Sequence, residues 1–588
     1  MRFNPFKPFA QYIRPYRGQV SLGLFLLFVT LAISLMIPKL LQWGIEAIEI
    51  ARHGGDEAYQ TGSIEGDLAF YAGLIAGLSL LNWVLSIGMR YYLTIVSRKV
   101  ERDIRRAYVN RLLLLPLSFF QEHRVGDLMA RATNDVEAIQ RFLHHAFRMS
   151  LTGALTFVMA LLLMCQIDWQ LAVLSLLPMP VMVLVTRKVG QKVRSGYRGV
   201  QEQFAEMSAR IQENLSGMRV VKAYALGDSE VASFAELNEE YVERNRRLVK
   251  IRALFFPFTF LLNGASMVVI LWLGGLHVIE GSMTLGAFVA FNAYLIRMGR
   301  PMMLLGRIVD EYQRAVASMG RIQLVVDAES QALGGTERVQ VHGAIEFCST
   351  SFSYDGRAAL DGVQIEVPAG STLAVVGRVG AGKTTMARLL PRLIEVGLGE
   401  VLIDGVPVDQ IPLGDLRKAI GYVPQETFLF SDTLRENVLL GLEGAGDEQV
   451  EEAVEIAQLA ADVASFPRGL ETVVGERGVT LSGGQKQRTA LARAVIRKPQ
   501  ILILDDALAA VDAKTEEQIL LRLRGIMAER TTIIIAHRIS TVKDADQIAV
   551  LDEGRLAELG THEELVQKDG IYADMCRRQN LTSELEAL

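Results

Sequence analysis

Cysteine is scarce in this sequence. The 588 residues include 3 cysteines, Cys165, Cys348 and Cys576, and no two of them form a CxxC pair. They have no companions at metal-ligand spacing, so neither a disulfide framework nor a zinc site is expected. We expect the three thiols to fill apolar packing positions.

The sequence also lacks a large excess of charge of either sign. Lys and Arg together number 61, Asp and Glu number 66, and the formal net charge is −5. Nucleic-acid-binding domains usually carry a basic face or stripe, so nucleic acid is not expected as a partner. Hydrophobic residues make up 50% of the chain and are concentrated in its first half, which points to a membrane protein.

A cleavable targeting segment is not expected either. The first residues are basic and aromatic, but the apolar run that begins near Val20 is too long for a signal-peptide core and has no small-residue cleavage site. We expect residues 1–19 to form an interfacial elbow helix on the inner membrane face, with a disordered tail as the alternative. These features fit a bacterial inner membrane, and an organellar membrane stays open.

Six apolar stretches in the first half are long enough to cross a bilayer as helices. They lie near residues 20–43, 68–92, 147–166, 170–187, 253–279 and 283–305. The segments 97–135 and 188–252 are rich in Arg and Lys, so the positive-inside rule places them and both termini in the cytoplasm. Their three-to-four apolar spacing predicts that the membrane helices continue beyond the bilayer. Residues 20–329 are therefore predicted to form an all-α polytopic transmembrane domain of six long helices.

The second half alternates strand-like and helix-like segments. A short Gly-containing linker at 330–340 separates it from the membrane part. Residues 341–580 are predicted to form a soluble α/β domain, followed by a C-terminal tail at 581–588. The whole chain is thus predicted to be multi-domain.

A phosphate-binding loop is the strongest chemical signal. It follows the strand-like STLAVV, precedes a helix-like segment, and reads Gly377, Arg378, Val379, Gly380, Ala381, Gly382, Lys383, Thr384, Thr385. Glycines let backbone N–H groups turn onto phosphate oxygens, and a helix N-terminus adds positive potential. Lys383 is expected to reach the β and γ phosphates and Thr384 to bind Mg²⁺. ATP and Mg²⁺ are the predicted cofactors.

Two acidic residues end the apolar strand-like run ILILDD at 501–506. A carboxylate at the end of a buried strand can lie beside a nucleotide-bound Mg²⁺, which makes Asp505 the predicted metal-side residue. An apolar strand that ends in acids is common by itself. The sequence Leu481-Ser482-Gly483-Gly484-Gln485, a short distance upstream, adds the decisive context.

With these motifs the chain resembles the ATP-binding cassette exporters that fuse six membrane helices to one cassette, and the resemblance covers essentially its whole length. It implies that residues 341–580 form an α/β P-loop nucleotide-binding domain with a helical subdomain. The resemblance implies that Tyr354 stacks on adenine and that Gln425 senses Mg²⁺ and the γ-phosphate. It further implies that Asp512 contacts a partner cassette and that His537 is the switch histidine, which makes His537 and Gln425 predicted catalytic residues together with Asp506. The segment Gly475–Gly478 resembles one that touches the membrane domain.

The LSGGQ signature is predicted to be the Ser-capped, Gly-opened start of a helix, which suits an anion. The resemblance implies that Ser482–Gln485 face the γ-phosphate bound by a partner cassette, so the working unit is a dimer. ATP would then drive alternating access through two cytoplasmic turns, at Phe119–Asp127 and Val220–Asp228. Alternatively, the aromatic residues of these turns, Phe119, Phe120 and Tyr224, pack between helices.

One position departs from the family pattern. After the metal-side aspartate the family usually carries a glutamate that polarises the attacking water, whereas this chain has Asp506. The shorter side chain withdraws the carboxylate by roughly 1 Å, and a misplacement of that size can cost on the order of 100-fold in rate. We therefore expect a weakened site in this chain and a non-identical partner chain that supplies the glutamate, with a slow homodimer as the alternative.

Several charged residues fall within or near the predicted spans: Lys39, Glu46, Arg90, Arg297, Arg300 and Arg307. A charge at bilayer depth costs about 2.5–3.5 kcal/mol unless it faces water or protein, although long side chains near helix ends reach the headgroups. These residues do not identify a cargo. We expect export of small amphipathic or hydrophobic compounds from a lipid environment, with a lipid or lipopolysaccharide-type flippase and an ATP-gated channel or regulatory subunit as alternatives.

Overall fold

The computed structural model describes residues 7–53, 63–335, 340–354, 356–442, 444–475 and 481–587. The chain divides into two compact units. The first, the helical unit, comprises Met1–Leu114 and His123–Glu329. The second, the α/β unit, comprises Leu115–Glu122 and Ser330–Leu588.

Long helices make up nearly all of the described part of the helical unit. The helices before residue 330 are α1 (Lys7–Ile13), α2 (Arg17–His53), α3 (Ser63–Leu112), α4 (Leu117–Glu122), α5 (Val125–Ala130), α6 (Val136–Arg141), α7 (Phe147–Ile167), α8 (Trp169–Leu176), α9 (Pro178–Ser216), α10 (Met218–Ala223), α11 (Gly227–Val269), α12 (Gly275–Ile279) and α13 (Leu285–Val326). Wider π-helical turns at Arg131–Asp135, Phe142–Ala146 and Ile270–Gly274 join α5 to α6, α6 to α7, and α11 to α12.

Helices cover all six apolar stretches of the sequence. Within the described residues, four helical segments are long and apolar enough to cross a membrane: Phe9–Ile50, Gly66–Leu112, Val125–Ile167 and Phe260–Ile279. The predicted spans near 170–187 and 283–305 contain the shorter apolar helical segments Trp169–Met182 and Leu285–Gly299. Helices α3, α9 and α13 continue to Leu112, Ser216 and Val326. The helices thus run well beyond the predicted spans, as the apolar spacing indicated.

The helical unit is held together by helices that run alongside each other. Helix α2 packs along α3, α9 packs along α11, and α13 packs against α7 and α2. At Gly286, α13 approaches α2 so closely that a Cβ atom would lie 2.4 Å from the Gln42 carbonyl oxygen. Large apolar side chains such as Phe25, Trp83 and Phe260 point outward. A helix satisfies its own backbone hydrogen bonds, so such a surface suits lipid.

Two sheets form the framework of the α/β unit. The strands are β1 (Ile345–Tyr354), β2 (Arg357–Val367), β3 (Thr372–Gly377), β4 (Leu398–Ile403), β5 (Val406–Pro407), β6 (Ile420–Val423), β7 (Ile501–Asp505), β8 (Thr531–Ile535), β9 (Gln547–Asp552) and β10 (Arg555–Gly560). A four-stranded antiparallel sheet has the order β2-β1-β4-β5. The larger sheet has the order β10-β9-β3-β8-β7-β6, and it is parallel except for β10.

Alternating side chains of the larger sheet enter two separate cores. On β3, Leu373 and Val375 join the core shared with the antiparallel sheet, whereas Ala374 and Val376 join the core on the helical side. Strands β7 and β8 are buried along their whole length, as a parallel sheet covered on both faces requires. The carboxyl ends of β3, β6, β7 and β8 meet at one edge, where parallel α/β sheets bind ligands.

Besides α4, ten α-helices after residue 330 belong to the described part of the α/β unit. They are α14 (Lys383–Leu389), α15 (Leu413–Ala419), α16 (Leu434–Val438), α17 (Asp447–Ile456), α18 (Ala460–Ser465), α19 (Gly483–Val495), α20 (Ala513–Met527), α21 (Ile539–Val542), α22 (His562–Gln567) and α23 (Ile571–Ala587). Helices α16–α19 lie between β6 and β7 in the chain and form the helical subdomain. Residues 581–587, which the sequence suggested as a tail, continue helix α23.

Candidate functional site

The phosphate loop joins the end of β3 at Gly377 to the start of α14 at Lys383. Gly377, Gly380 and Gly382 have positive φ angles of 150°, 86° and 97°. A Cβ atom on Gly382 would lie 2.3 Å from the Ala359 carbonyl oxygen, and one on Gly377 would lie 2.2 Å from a carbonyl oxygen of β9. Space and backbone conformation therefore both demand glycine. The strand-loop-helix arrangement is the one that the sequence predicted.

Lys383 is folded back onto the loop it belongs to. Its Nζ atom donates to the carbonyl oxygens of Gly377 at 2.8 Å and Arg378 at 2.9 Å. Burial lowers the pKa of Lys383, while the carboxylates of Asp506 and Asp505 act in the opposite direction. An ammonium group that is costly to bury gains from a bound anion, so phosphate oxygens can replace these carbonyl partners.

Asp505 accepts two hydroxyl donors at the end of β7. Thr384 Oγ1 donates to its Oδ1 at 3.1 Å, and the hydroxyl of Tyr422 on β6 donates to its Oδ2 at 3.3 Å. Burial raises the pKa of Asp505 above its ordinary value, although both hydrogen bonds lower it. The sequence analysis did not identify Tyr422. The contact of Tyr422 with Asp505 could have been predicted only from the exact strand register, because the parallel pairing of β6 with β7 places Tyr422 beside the end of β7.

Asp506 has the left-handed backbone conformation, with φ of 49°. Its N–H donates to the carbonyl oxygen of Ile535 on β8 at 2.9 Å. Its Oδ2 atom accepts a hydrogen bond from Gln425 Nε2 at 3.3 Å. Two of the residues predicted to be catalytic are therefore in direct contact.

The third predicted catalytic residue, His537, follows β8. Its side chain is exposed and lines the same cavity as Asp506, Leu508 and Ile534. The cavity has a volume of about 200 Å³. The structure thus brings Asp506, Gln425 and His537 to the edge of the sheet that also carries the phosphate loop.

The signature residues begin helix α19 with a complete capping box. Ser482 Oγ accepts from the Gln485 N–H at 3.2 Å, and Gln485 Oε1 accepts from the Ser482 N–H at 2.9 Å. Gln485 Nε2 also donates to Asp462 of α18 at 2.7 Å. A Cβ atom on Gly484 would lie 3.0 Å from the Ala510 carbonyl oxygen, whereas one on Gly483 would meet only the Ala510 Cβ atom at 3.4 Å. The predicted Ser cap is confirmed.

The remaining predicted binding residues lie around these groups. Tyr354 ends β1 half-buried, with its ring 4.8 Å from that of Phe352 in an edge-on arrangement. Thr385 is buried in the first turn of α14. Asp512 caps α20 by accepting from the Thr515 N–H at 3.0 Å, and this bond lowers its pKa. Among the described residues, no hydrogen bond joins the signature Ser482–Gln485 to the phosphate loop. Of the segment Gly475–Gly478, residues 476–478 lie outside the described residues.

The metal-side residues offer oxygen donors. The Thr384 hydroxyl, the Asp505 carboxylate and the side-chain oxygen of Gln425 are the ligand types that Mg²⁺ prefers. The described residues contain no group of three or more His, Cys, Asp or Glu able to hold a metal ion. Magnesium sites usually combine one or two protein ligands with water and substrate phosphates, so this small set fits Mg²⁺. The buried Asp505 carboxylate, bonded directly to two hydroxyl groups, is the group such a cation would neutralise.

Two of the six charged residues of the predicted spans tie α2 to α13. Arg297 donates to the Ser34 hydroxyl, and Glu46 Oε1 accepts from Thr284 Oγ1 at 2.6 Å. Lys39 Nζ donates to Gln42 Oε1 at 2.9 Å on α2 itself. The Arg90 side chain is exposed, and the side chains of Arg300 and Arg307 lie outside the described residues.

Short helices occupy both predicted cytoplasmic turns. Helices α4 and α5 cover most of Phe119–Asp127, and α10 covers the start of Val220–Asp228. The residues of α4 group with the α/β unit and those of α10 with the helical unit. Tyr224 is 74% exposed, so in this chain it does not pack as a core residue between helices. Phe119 and Phe120 are half-buried with their rings 5.9 Å apart.

Two family models match this chain. Residues 20–302 match the ABC transporter transmembrane region, and residues 360–509 match the ABC transporter model. Among solved structures, a bacterial Atm1-family ABC exporter with ATP bound is similar, with a TM-score of 0.77 and 29% identity. The similarity covers 96% of this chain and 99% of that one.

Similar sequences extend over the whole chain. The protein named "Probable multidrug resistance ABC transporter ATP-binding/permease protein YheI" of Bacillus subtilis is 36% identical over 98% of both chains. The multidrug resistance-like ATP-binding protein MdlA of Escherichia coli is 34% identical over 98% of this chain and 96% of its own. An ATP-dependent lipid A-core flippase of Syntrophus aciditrophicus is 34% identical over 84% and 83%. This chain therefore belongs to the ABC transporter family, as a multi-pass membrane exporter half with a fused ATPase domain.

Proposed function

We propose that the chain is one subunit of a heterodimeric exporter of amphipathic, multidrug-type compounds. It binds ATP at its own phosphate loop but hydrolyses it slowly there. The names of the YheI and MdlA relatives support the cargo class. The asymmetry between the subunits rests on a single observation, the geometry of Asp506.

The backbone at Asp506 cannot advance to compensate for the short side chain. A non-glycine residue with φ of 49° already pays conformational strain, and its N–H is bonded to Ile535 of the neighbouring strand. The carboxylate is also drawn toward Gln425, 3.3 Å away. A glutamate at this position would reach about one methylene farther into the nucleotide site. The expected result is a water molecule that is poorly oriented for attack.

The phosphate loop would hold the triphosphate, and Tyr354 would stack on the adenine. Lys383 would exchange its two carbonyl partners for β and γ phosphate oxygens, and residues 377–382 would turn N–H groups onto them. The buried Thr385 would anchor the first turn of the helix that supports the loop. Gln425 and His537 would orient the γ-phosphate and the attacking water, with Asp506 as a weak base.

Thr384, Asp505 and Gln425 would hold Mg²⁺. The cation would neutralise charge that develops on the phosphate oxygens. In this chain Thr384 and Tyr422 would orient the buried Asp505 carboxylate for Mg²⁺, because both donate hydrogen bonds to it.

The signature would act in trans. Ser482, Gly483, Gly484 and Gln485 would face the γ-phosphate of ATP bound by the second chain, with Asp512 at the contact between the two cassettes. The N-terminus of α19 favours an anion through its free N–H groups and its dipole. The protein would lie in a bacterial plasma membrane, surrounded by lipid, with both termini and the α/β unit in the cytoplasm.

A homodimeric lipid flippase is the second candidate. The similarity to a lipid A-core flippase favours it, at 34% identity over 84% of this chain. In that case the slow Asp506 site would operate in both subunits. Transport of a fluorescent phospholipid by the chain reconstituted alone would support this candidate over the heterodimer.

ATP turnover of the chain purified alone tests the role of Asp506. We expect Asp506→Glu to raise turnover by about 100-fold, because the longer side chain restores the missing reach. Asp505→Asn is the matched control, since it changes the adjacent carboxylate and should leave turnover at background. Fast turnover of the unmodified chain that Asp506→Glu does not increase would contradict the proposal. In a separate experiment, co-purification from the native membrane should identify a partner chain with a glutamate at this position.

A further inference from the structure

The loop that carries His537 is bonded to a side chain of the last helix. Gln579 on α23 accepts from the Ile539 N–H through Oε1 at 2.8 Å. Its Nε2 atom donates to the carbonyl oxygen of His537 at 3.3 Å. A single amide group therefore satisfies a donor and an acceptor on the two sides of Arg538, as a neighbouring peptide group would.

The Ile539 N–H is a group that its own helix leaves unpaired. Ile539 is the first residue of α21, and the N-cap residue Arg538 gives this helix no side-chain cap. The first N–H groups of a helix have no partner within the helix. Gln579 supplies the cap from an element 40 residues farther along the chain.

The opposite side of the loop is held by Glu516 of α20. The Arg538 guanidinium bonds to the Glu516 carboxylate and to the Val511 carbonyl oxygen, the latter at 3.3 Å. Thr541 Oγ1 donates to the same carboxylate. Glu516 is buried, whereas the Arg538 side chain is 40% exposed, so this ion pair is only partly shielded from water. Gln579 therefore holds the loop from one side and Glu516 holds it from the other. The exposed His537 side chain lines the cavity that Asp506 also lines.

Helix α23 is itself anchored to the sheet. The N–H groups of Ile571 and Tyr572 donate to the Glu558 carboxylate of β10 at 2.6 and 3.1 Å, which also complements the helix dipole. Tyr572 is fully buried and its hydroxyl lies 2.8 Å from His562 Nδ1. Gln579 lies about two turns beyond this anchor. A shift of α23 would therefore reach the loop through Gln579.

We propose that Gln579 is a positioning residue for His537, and that the C-terminal helix α23 holds the switch loop in the geometry that ATP hydrolysis needs. The proposal rests on the function proposed above for His537. It assigns a role to a helix that lies outside the ATP-binding motifs. A displacement of α23 would then slow ATP hydrolysis by moving the loop that carries His537.

Hydrogen exchange of the full chain tests the contact itself. We expect Gln579→Leu to speed exchange of the Ile539 amide by about tenfold, because that N–H loses its acceptor. Gln579→Glu keeps an acceptor oxygen and should preserve protection. Asn580→Leu, which changes the exposed neighbouring amide on α23, should leave exchange unchanged. Equal protection of Ile539 in Gln579→Leu and the unmodified chain would overturn the proposal.

Single-turnover ATP hydrolysis tests the consequence, in the unmodified chain and in the Asp506→Glu chain. We expect Gln579→Leu to lower the rate about tenfold with little change in ATP affinity, and Gln579→Glu to recover part of it. In a chain carrying His537→Ala, Gln579→Leu should have no further effect. The same fold loss with and without His537 would overturn the positioning role, as would a rate that His537→Ala leaves unchanged.

The two proposals can fail separately. If Asp506→Glu gives no gain in turnover, the weakened-site function is wrong. The effect of Gln579→Leu in the unmodified chain, with and without His537, still decides whether Gln579 acts through His537.

Discussion

The phosphate loop and the signature helix both offer backbone N–H groups to an anion. They differ in the hydrogen bonds that their own side chains make when no anion is bound. In the phosphate loop, three glycines adopt positive φ angles and Lys383 bonds to carbonyl oxygens of its own loop. In the signature, Ser482 and Gln485 bond to each other reciprocally, and Gln485 also bonds to Asp462. The first is a glycine-dependent loop around the buried ammonium group of Lys383, and the second is a complete helix cap.

This difference indicates where nucleotide binding changes the chain. Phosphate oxygens can replace the internal partners of Lys383, so ATP binding should rigidify the phosphate loop. The signature is already organised, so it loses little conformational entropy when it meets an anion. A chain with a shortened carboxylate beside its own loop and a preorganised signature suits the proposed role of a subunit that mainly completes the partner's site.

The largest expected effect comes from adding one methyl group to the phosphate loop. Gly382→Ala forces a Cβ atom to within 2.3 Å of the Ala359 carbonyl oxygen at φ of 97°. We expect ATP affinity to fall by roughly 100-fold and the free energy of unfolding to fall by about 3 kcal/mol. Isothermal titration with ATP and thermal unfolding measure the two quantities.

Gly483→Ala is the matched change in the signature. Its Cβ atom would meet only the Ala510 Cβ atom at 3.4 Å, and alanine favours a helix by about 0.5 kcal/mol or more over glycine. We therefore expect unchanged ATP affinity at the chain's own loop and slightly higher stability, with lower turnover of the assembled transporter. Equal losses of ATP affinity in the two variants would remove the distinction between the loops.

A smaller effect is expected from removing the signature cap. Ser482→Ala loses the acceptor of the Gln485 N–H and should lower stability by about 1 kcal/mol. Thr561→Ala removes the same kind of capping box from α22 and should cost a similar amount. Turnover of the assembled transporter should fall about tenfold for Ser482→Ala and stay the same for Thr561→Ala. Parallel losses in both variants would mean that Ser482 serves only to start its helix.

The features that the sequence predicted well are local. The strand before the phosphate loop, the glycine positions and the Ser cap depend on neighbouring residues, and the apolar stretches that form helices do so by their own periodicity. The continuation of α23 through residues 581–587 was missed, because a short polar stretch at a chain end has little pattern.

The features that the sequence did not reveal depend on contacts between distant residues. Tyr422 and Asp505 are 83 residues apart, and Gln579 and Ile539 are 40 apart. Their contacts follow from strand register and from the packing of α23, and neither produces a recognisable motif in the sequence. The sequence also did not indicate the left-handed backbone of Asp506, because an aspartate, unlike a glycine, is not a strong signal of a positive φ angle. The sequence thus identified the short carboxylate, and the structure adds the backbone conformation and the Ile535 hydrogen bond from which the proposal for Asp506 is argued.

The smallest expected effect lies within the phosphate-loop site and has a characteristic pH dependence. Tyr422→Phe removes a donor that lowers the pKa of Asp505, so this pKa, already raised by burial, rises further. The carboxylate binds a cation in its charged form, which prevails above the pKa. Binding of ATP with Mg²⁺ therefore weakens as pH falls, and the variant should weaken at a higher pH than the unmodified chain. Near neutral pH the loss should be only about threefold.

The sign of the accompanying stability change is opposite. A carboxyl group whose native pKa is raised binds its proton more tightly in the folded state, so the nucleotide-free chain gains stability as pH falls through that pKa. Tyr422→Phe should enlarge this gain. Tyr572→Phe, which removes a buried hydroxyl bonded to His562, is the control for ATP binding and should leave the pH dependence of ATP binding unchanged. A lower pH for the loss of ATP binding in Tyr422→Phe would show that Tyr422 does not stabilise the charged form of Asp505.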